Sequence, residues 1–132
     1  MQTFVLKLKQ PSFTYLRYSL ESLGPLKVDP ASPDILGFLK DSEAVTLIVS
    51  EKAVDQFPLP ANLQSGFRVL EIEGPLEFSL VGILKSLTTI LADRNIPLCA
   101  LSTYDTDMLL VARKYLPTAI EAIEAAGHTV KR

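Results

Sequence analysis

The chain has 132 residues, 48% of them hydrophobic, which suffices for one fair core or for two very small cores that pack together. Thirteen Lys and Arg stand against 15 Asp and Glu, and the net charge of −2 argues against a nucleic-acid-binding protein. No apolar run approaches the roughly 18 residues of a membrane helix, and residues 1–8 alternate where a signal peptide would be continuously apolar. We therefore expect a compact, soluble protein of the cytoplasm.

The first half of the chain combines predicted strands with proline-rich loops. Strands are predicted for residues 3–8 (TFVLKL), 13–20 (FTYLRYSL) and 44–49 (AVTLIV). Four Gly and Pro residues within residues 24–33 predict a loop, and a short helical turn is considered for residues 34–39. A second helical turn is predicted for residues 51–56.

The second half begins with a predicted junction at residues 62–66 (NLQSG) and a strand at residues 67–72 (FRVLEI). From Gly82, apolar residues recur with helical spacing, which predicts an amphipathic helix that ends near Asn95. We therefore expect the chain to cross from a strand to a helix between these two stretches.

A hairpin is predicted for residues 98–111 (LCALSTYDTDMLLV), because two apolar runs bracket one cluster of turn-forming residues. The single cysteine, Cys99, excludes an intramolecular disulfide. Its place in an apolar strand predicts a buried thiol rather than a reactive one. A second helix follows, with Pro117 in its first turn and Gly127 at its end, and residues 128–131 are predicted to close the sheet as an edge strand.

The second half therefore follows the order strand, helix, strand, strand, helix, strand. This order predicts an α+β, ferredoxin-like fold, in which two helices cover one face of a four-stranded antiparallel sheet. The first half echoes the pattern, since residues 47–54 align with residues 109–116 at nearly the offset that separates Phe4 from Phe67. We expect two units, a degenerate one in residues 1–64 and a complete one in residues 65–132.

Residues 73–111, with their EGPL, VGIL and STYDTD motifs, closely resemble the ACT domain of bacterial tandem ACT-domain proteins. The same pattern is similar to part of the CASTOR-type arginine sensors of animals. The resemblance implies two ACT-like units that bind an amino acid at an interface and regulate an enzyme. We expect no attached catalytic domain, and the resemblance therefore does not indicate which protein this chain would regulate.

The chemistry of a free amino acid fits the residues that carry this resemblance. Its carboxylate would meet the backbone N–H groups of a helix that begins at Gly82, and glycine permits a close approach. Its ammonium would meet the carboxylate of Asp105 or Asp107. The predicted ligand-binding residues are Val81, Gly82, Ile83, Ser102, Thr103, Tyr104, Asp105, Thr106 and Asp107, with Ser50 and Glu51 as weaker candidates for a closing wall.

Simpler roles stand beside these assignments. The polar hairpin residues are also typical turn formers, and Gly82 is also consistent with close packing of a helix on the sheet. Tyr104 is expected to be a packed aromatic residue of the turn, and His128 a solvated or capping histidine. Two carboxylates without further ligands do not predict a metal site.

Nothing in the sequence assembles a nucleophile, a base and an oxyanion site. We therefore expect a protein that binds and senses an amino acid without catalysis and without a cofactor. The exposed sheet edges of such small units favour a homodimer. The alternative is a structural or protein-interaction module with a vestigial pocket.

Overall fold

Alternating and helical patterns in the sequence give short strands and two helices of ten residues each. The computed structural model describes residues 3–73 and 82–132. The strands in this part of the chain are β1 Val5–Leu8, β2 Phe13–Ser19, β3 Ile35–Lys40, β4 Ala44–Ser50, β5 Asn62–Ile72, β6 Cys99–Ser102, β7 Asp107–Ala112 and β8 Thr129–Lys131. The helices are α1 Ile83–Ala92 and α2 Leu116–Ala125, with short 3₁₀ helices at Leu20–Ser22, Glu51–Gln56 and Arg113–Tyr115.

The chain divides into two units that do not follow a simple cut along the sequence. Residues 1–10 and 67–132 form one unit, called here the larger unit, and residues 11–66 form the smaller unit. The boundary expected from the sequence lay after residue 64 and kept residues 1–10 with the first half. The interpretation of the smaller unit as a degenerate copy of the larger one stays a prediction.

The sheet of the larger unit has the order β6, β7, β5, β1, β8. Neighbouring strands are antiparallel, with Val69 opposite Leu110 and Lys7 opposite Glu71, except that β1 and β8 are parallel. The predicted order of strands and helices is confirmed from β5 to β8, and the fold is α+β and ferredoxin-like. The prediction of a four-stranded antiparallel sheet was wrong, because β1 pairs between β5 and β8.

The core of the larger unit lies between this sheet and the two helices. Its fully buried side chains include Leu70 and Leu109 from the sheet, Leu87 and Leu91 from α1, and Ile123 from α2. Since these helical residues follow the three-to-four spacing of one helix face, the amphipathic pattern correctly identified the buried face. Gly127 has φ +101°, the left-handed conformation that commonly ends a helix.

His128 joins the two ends of the chain within the larger unit. The backbone N–H of Phe4 donates a hydrogen bond of 3.0 Å to Nδ1 of His128, and the two rings stack with centroids 5.3 Å apart. His128 is only 5% exposed, so the expectation of a solvated or capping histidine was wrong. The insertion of β1 beside β8 provides the physical reason, because it brings Phe4 over the imidazole.

The expectation for Cys99 was also wrong, since this cysteine is exposed. Its strand, β6, pairs only with β7 among the described residues of the larger unit and therefore forms an edge of that sheet as described. An apolar run on an edge strand has fewer neighbours to cover it than the same run in a central strand. The apolar sequence around Cys99 therefore did not predict its exposure.

The smaller unit has the strand order β3, β4, β2, with residues 62–66 of β5 beside β2. Its core includes Leu16, Tyr18, Leu47 and Val49. Burial raises the pKa of Tyr18, whose hydroxyl donates to the backbone carbonyl of Pro58 at 2.7 Å. These contacts hold the proline-containing segment beside the sheet.

Two sequence assignments in the smaller unit need correction. Of the segment considered for a helical turn, residues 34–39, all but the first residue lie in β3, because pairing with β4 supplies hydrogen-bond partners that a single turn lacks. The predicted junction at residues 62–66 lies in β5, which starts five residues before the predicted strand. The helical turn predicted for residues 51–56 is confirmed as the 3₁₀ helix Glu51–Gln56.

Candidate functional site

The tip of the hairpin and the start of α1 lie at the same end of the larger unit. Strand β6 is antiparallel to β7, and β7 is antiparallel to β5, so β6 runs in the direction of β5. The connection from α1 to β6 is short, and β6 begins level with Val69 of β5. Helix α1 therefore runs antiparallel to β5 and starts at the end of the sheet where β5 ends. The loop between β6 and β7 lies at that same end, because β6 finishes there.

A hydrogen bond ties the hairpin tip to β5 directly. The hydroxyl of Thr106 donates to the backbone carbonyl of Ile72, the last residue of β5. This contact fixes the distance between the tip and the point where the chain leaves the sheet toward α1. The polar tip is therefore a positioned part of the unit.

The turn at the tip is organised by Thr103. Its backbone N–H donates to the carbonyl of Thr106 at 2.8 Å, and its Oγ1 accepts from the N–H groups of Asp105 and Thr106 at 3.2 and 3.1 Å. Threonine hydroxyls bonded in this way shape tight turns. The hydroxyls of Thr103 and Thr106 therefore shape and anchor the tip, which is the simpler role that the sequence had left open.

The two carboxylates of the tip differ in their surroundings. Asp107 begins β7, is partly buried, and accepts a hydrogen bond from the hydroxyl of Ser102 across the hairpin. Asp105 lies in the turn and is exposed. Both bring negative charge to one end of the sheet, and the Ser102 hydroxyl orients the carboxylate of Asp107.

Tyr104 does not pack as expected, because it is 80% exposed at the tip of the turn. The hydrogen bonds of Thr103 hold the turn without burial of the tyrosine ring, which provides the physical reason. The aromatic ring is therefore a contact surface at the same end of the unit as the two carboxylates.

Gly82 precedes the first residue of α1 and adopts φ +94°. A Cβ atom added at Gly82 would meet nothing within 4 Å, so close packing of the helix on the sheet does not explain this glycine. The positive φ does explain it, since residues with a side chain rarely adopt that conformation. The carbonyl of Gly82 accepts from the N–H of Ser86 at 2.8 Å, which closes the first helical turn.

Ile83 is buried in the core, with 5% of its surface exposed, so its side chain anchors the start of α1. Only its backbone remains as a possible contact for a ligand, as the sequence predicts. Val81, the third residue assigned to this helix start, lies outside the described residues. The STYDTD motif lies wholly within the part of the chain that the structure describes, whereas residues 74–76 of the EGPL motif and residue 81 of the VGIL motif lie outside it.

Ser50 and Glu51 belong to the smaller unit, where they line a surface cavity of about 280 Å³ with Pro11, Ser12 and Lys52. Sequence reasoning missed Ser12 and Lys52 as members of this group. Ser12 lies 38 residues before Ser50 in the sequence, and only the pairing of β2 with β4 brings these segments together. No local pattern carries that information.

Within residues 3–73 and 82–132, no group of three or more His, Cys, Asp or Glu side chains is arranged to hold a metal ion. No helix in the described part of the chain is long and apolar enough to span a bilayer.

Comparison with protein families and known proteins identifies a domain type for part of the chain. Residues 62–125, just under half of the sequence, match the family model for the ACT domain. None of the curated proteins matches the sequence. The matched segment contains the hairpin, α1 and the whole of α2.

Solved structures share the fold at low sequence identity. A protein from Agrobacterium tumefaciens has 22% identity and a TM-score of 0.78, over 98% of this chain and 93% of that chain. A Vibrio cholerae protein of unknown function, described as a possible transport protein, has 19% identity and a TM-score of 0.66, over 92% of this chain and 88% of that chain. The ligand-free regulatory subunit of aspartate kinase from Thermus thermophilus has 13% identity and a TM-score of 0.62, over 92% of this chain and 96% of that chain.

Proposed function

We propose that this protein is an ACT-domain regulatory protein that binds a free amino acid without catalysing a reaction. The observation that carries the proposal is the shared position of the hairpin tip and the start of α1 at one end of the sheet, where the hydrogen bond from Thr106 to Ile72 holds the tip on β5. The match of residues 62–125 to the ACT domain supports it. So does the fold shared with a regulatory subunit of aspartate kinase.

The start of α1 provides the group that would bind the ligand carboxylate. The first backbone N–H groups of a helix have no partner within the helix, and the helix dipole places partial positive charge there. At Gly82 the added Cβ would stand in open space, so the absent side chain leaves the backbone accessible from that direction. A carboxylate is the ligand group that such a helix start favours.

The hairpin tip provides the groups that would bind the ligand ammonium. Asp107, oriented by Ser102, is the first partner in this proposal, and exposed Asp105 adds a second negative charge. Charge-assisted hydrogen bonds of this kind are roughly twice as strong as neutral ones. The ligand carboxylate would thus meet the positive start of α1, and the ligand ammonium would meet the negative hairpin tip at the same end of the larger unit.

The same proposal includes self-association. Strands β6 and β8 are the edges of the sheet in the described part of the larger unit, and exposed edges are templates for pairing. A homodimer would cover such edges, and a second copy would enclose the bound ligand. The identity of the amino acid and a similarity of function to CASTOR-type arginine sensors stay predictions.

Thermal unfolding in the presence of each L-amino acid tests the proposal. A ligand that binds only the native state stabilises it by about 2.7 kcal/mol at a hundredfold excess over Kd. We expect one amino acid or a few related ones to raise the unfolding midpoint, and we expect Asp107→Asn to reduce that rise. The exposed Asp29→Asn is the matched control, because Asp29 lies in the smaller unit.

A further inference from the structure

The smaller unit contains a cavity of about 280 Å³ whose lining combines both signs of charge with hydroxyl groups. Its lining residues are Pro11, Ser12, Ser50, Glu51 and Lys52. At about 30 Å³ for each water molecule, the cavity has room for about nine waters. A compact organic molecule with fewer than ten non-hydrogen atoms therefore fits.

Backbone hydrogen bonds hold the walls of this cavity. The N–H of Glu51 donates to the carbonyl of Ser12 at 2.9 Å, and the N–H of Ser50 donates to the carbonyl of Asp34 at 2.8 Å. Ser50 is only 2% exposed, while Ser12 is partly buried. The two serines therefore sit on a fixed backbone, and each hydroxyl can both donate and accept a hydrogen bond.

The Glu51 carboxylate is also positioned. Its Oε1 accepts a hydrogen bond of 2.8 Å from the backbone N–H of Gly66, which has φ +88°. A carboxylate held by a backbone donor has a defined direction. The negative side of the cavity is therefore built into the fold of the smaller unit.

Lys52 supplies the positive side. Its Nζ lies 4.0 Å from Oδ1 of Asp34, but its side chain is 79% exposed, and exposed pairs of this kind contribute little to stability. A ligand carboxylate can therefore compete for this ammonium at small cost. Glu51 and Lys52 both line the cavity, so one residue of each charge borders the same small volume.

We propose that this cavity is a second ligand site, which binds a small zwitterion that carries an ammonium and a carboxylate on the same carbon atom, such as a short α-amino acid. The Glu51 carboxylate binds the ammonium, Lys52 binds the carboxylate, and the serine hydroxyls take the remaining hydrogen bonds. This site needs no residue of the hairpin tip. The proposal of a cavity site is therefore independent of whether the tip binds a ligand.

The test is a titration of the full-length protein with L-serine, followed through its ¹⁵N amide signals. We expect saturable shifts at Ser50, Glu51, Lys52 and Gly66, and we expect weaker shifts with acetate or methylammonium, each of which carries only one of the two charges. Glu51→Gln and Lys52→Met are each expected to weaken binding roughly tenfold, since each removes one charged partner. The glutamine oxygen in Glu51→Gln still accepts from Gly66, so the variant keeps the local fold.

Glu21→Gln and Lys27→Met are the matched controls, because both residues are exposed and neither lines the cavity. They are expected to bind L-serine as the wild type does. The inference is overturned if the four cavity signals do not shift saturably in the wild type, or if Glu51→Gln and Lys52→Met bind unchanged.

Substitution of both Asp105 and Asp107 by Asn separates this inference from the proposed function. Cavity shifts that persist in this double variant support a separate site, and cavity shifts that disappear with it overturn that site. If only the hairpin tip responds to L-amino acids, the proposed function stands and the cavity site fails. If only the cavity responds, the cavity site stands and the proposed function of the hairpin tip fails.

Discussion

The hydroxyl of Thr106 donates a hydrogen bond to the backbone carbonyl of Ile72, which ties the tip of the hairpin to the end of β5. Because α1 starts at the same end of the sheet, this contact fixes the acidic tip at the end of the larger unit where the helix begins. The proposed amino acid site depends on that shared position.

Thr106→Val keeps the size of the side chain and removes the donor. We expect the free energy of unfolding to fall by about 1 kcal/mol, the usual contribution of one hydrogen bond, when it is measured by urea denaturation. Thr129→Val, at an exposed position of β8, is the control and should change stability little. Equal effects of the two substitutions would show that the tie to Ile72 does not stabilise the fold.

His128→Phe tests the contact that holds β1 in the larger unit. The phenyl ring can still stack on Phe4, but it offers no acceptor to the Phe4 N–H, which now donates to Nδ1 at 3.0 Å. We expect a loss of about 1 to 3 kcal/mol in the free energy of unfolding. Amide hydrogen exchange at Phe4 should accelerate, and unchanged exchange there would contradict the assigned role of His128.

Gly82→Ala tests whether the glycine is required by its backbone conformation. A side chain at φ +94° costs about 1 kcal/mol, while the open space around the new Cβ adds no clash. Gly37→Ala is the matched control, because Gly37 has no positive φ and its Cβ would lie 3.6 Å from Cδ1 of Ile48, an ordinary contact. Urea denaturation should therefore show a loss only for Gly82→Ala.

Asp41 gives a prediction about pH. The backbone N–H groups of Glu43 and Ala44 donate to its Oδ1 at 2.7 and 2.9 Å and lower the pKa of Asp41 below its ordinary value of 3.8. The folded state therefore prefers the ionised form, and this contribution is complete above pH 3.8 and is lost as the pH falls through the lowered pKa.

The comparison of wild type with Asp41→Asn isolates this effect, because asparagine keeps an acceptor oxygen and does not titrate. Urea denaturation at neutral pH and below pH 3.8 should show a smaller acid-induced loss of stability in Asp41→Asn. The same acid dependence in both proteins would mean that other carboxyl groups account for it.

Local sequence patterns predicted the elements that depend on local order. The apolar stripe from Ile83 to Leu91 identified α1, and the turn formers of residues 103–106 identified the hairpin, because helices and hairpins form between neighbours in the sequence. The acidic tip of the candidate site followed from the same turn residues.

Features set by distant pairing could not be predicted in this way. The pairing of β1 with β8 joins the two ends of the chain, and it decides both the strand order of the larger unit and the burial of His128. Exposure of Cys99 likewise depends on which strand forms the sheet edge. The cavity of Ser12, Ser50 and Lys52 has the same origin, since the segment before β2 and the segment at the end of β4 meet only through the pairing of these two strands.

Isothermal titration calorimetry tests the central claim most directly. The titrant is the L-amino acid that raises the unfolding midpoint most, and the protein carries Glu51→Gln, so that the signal comes from the hairpin tip. The account predicts saturable heat for this amino acid, none for its N-acetyl derivative, and none after the further substitution of Asp105 and Asp107 by Asn. Equal heat from the N-acetyl derivative, binding unaffected by the two substitutions, or no saturable heat from any amino acid would contradict the account.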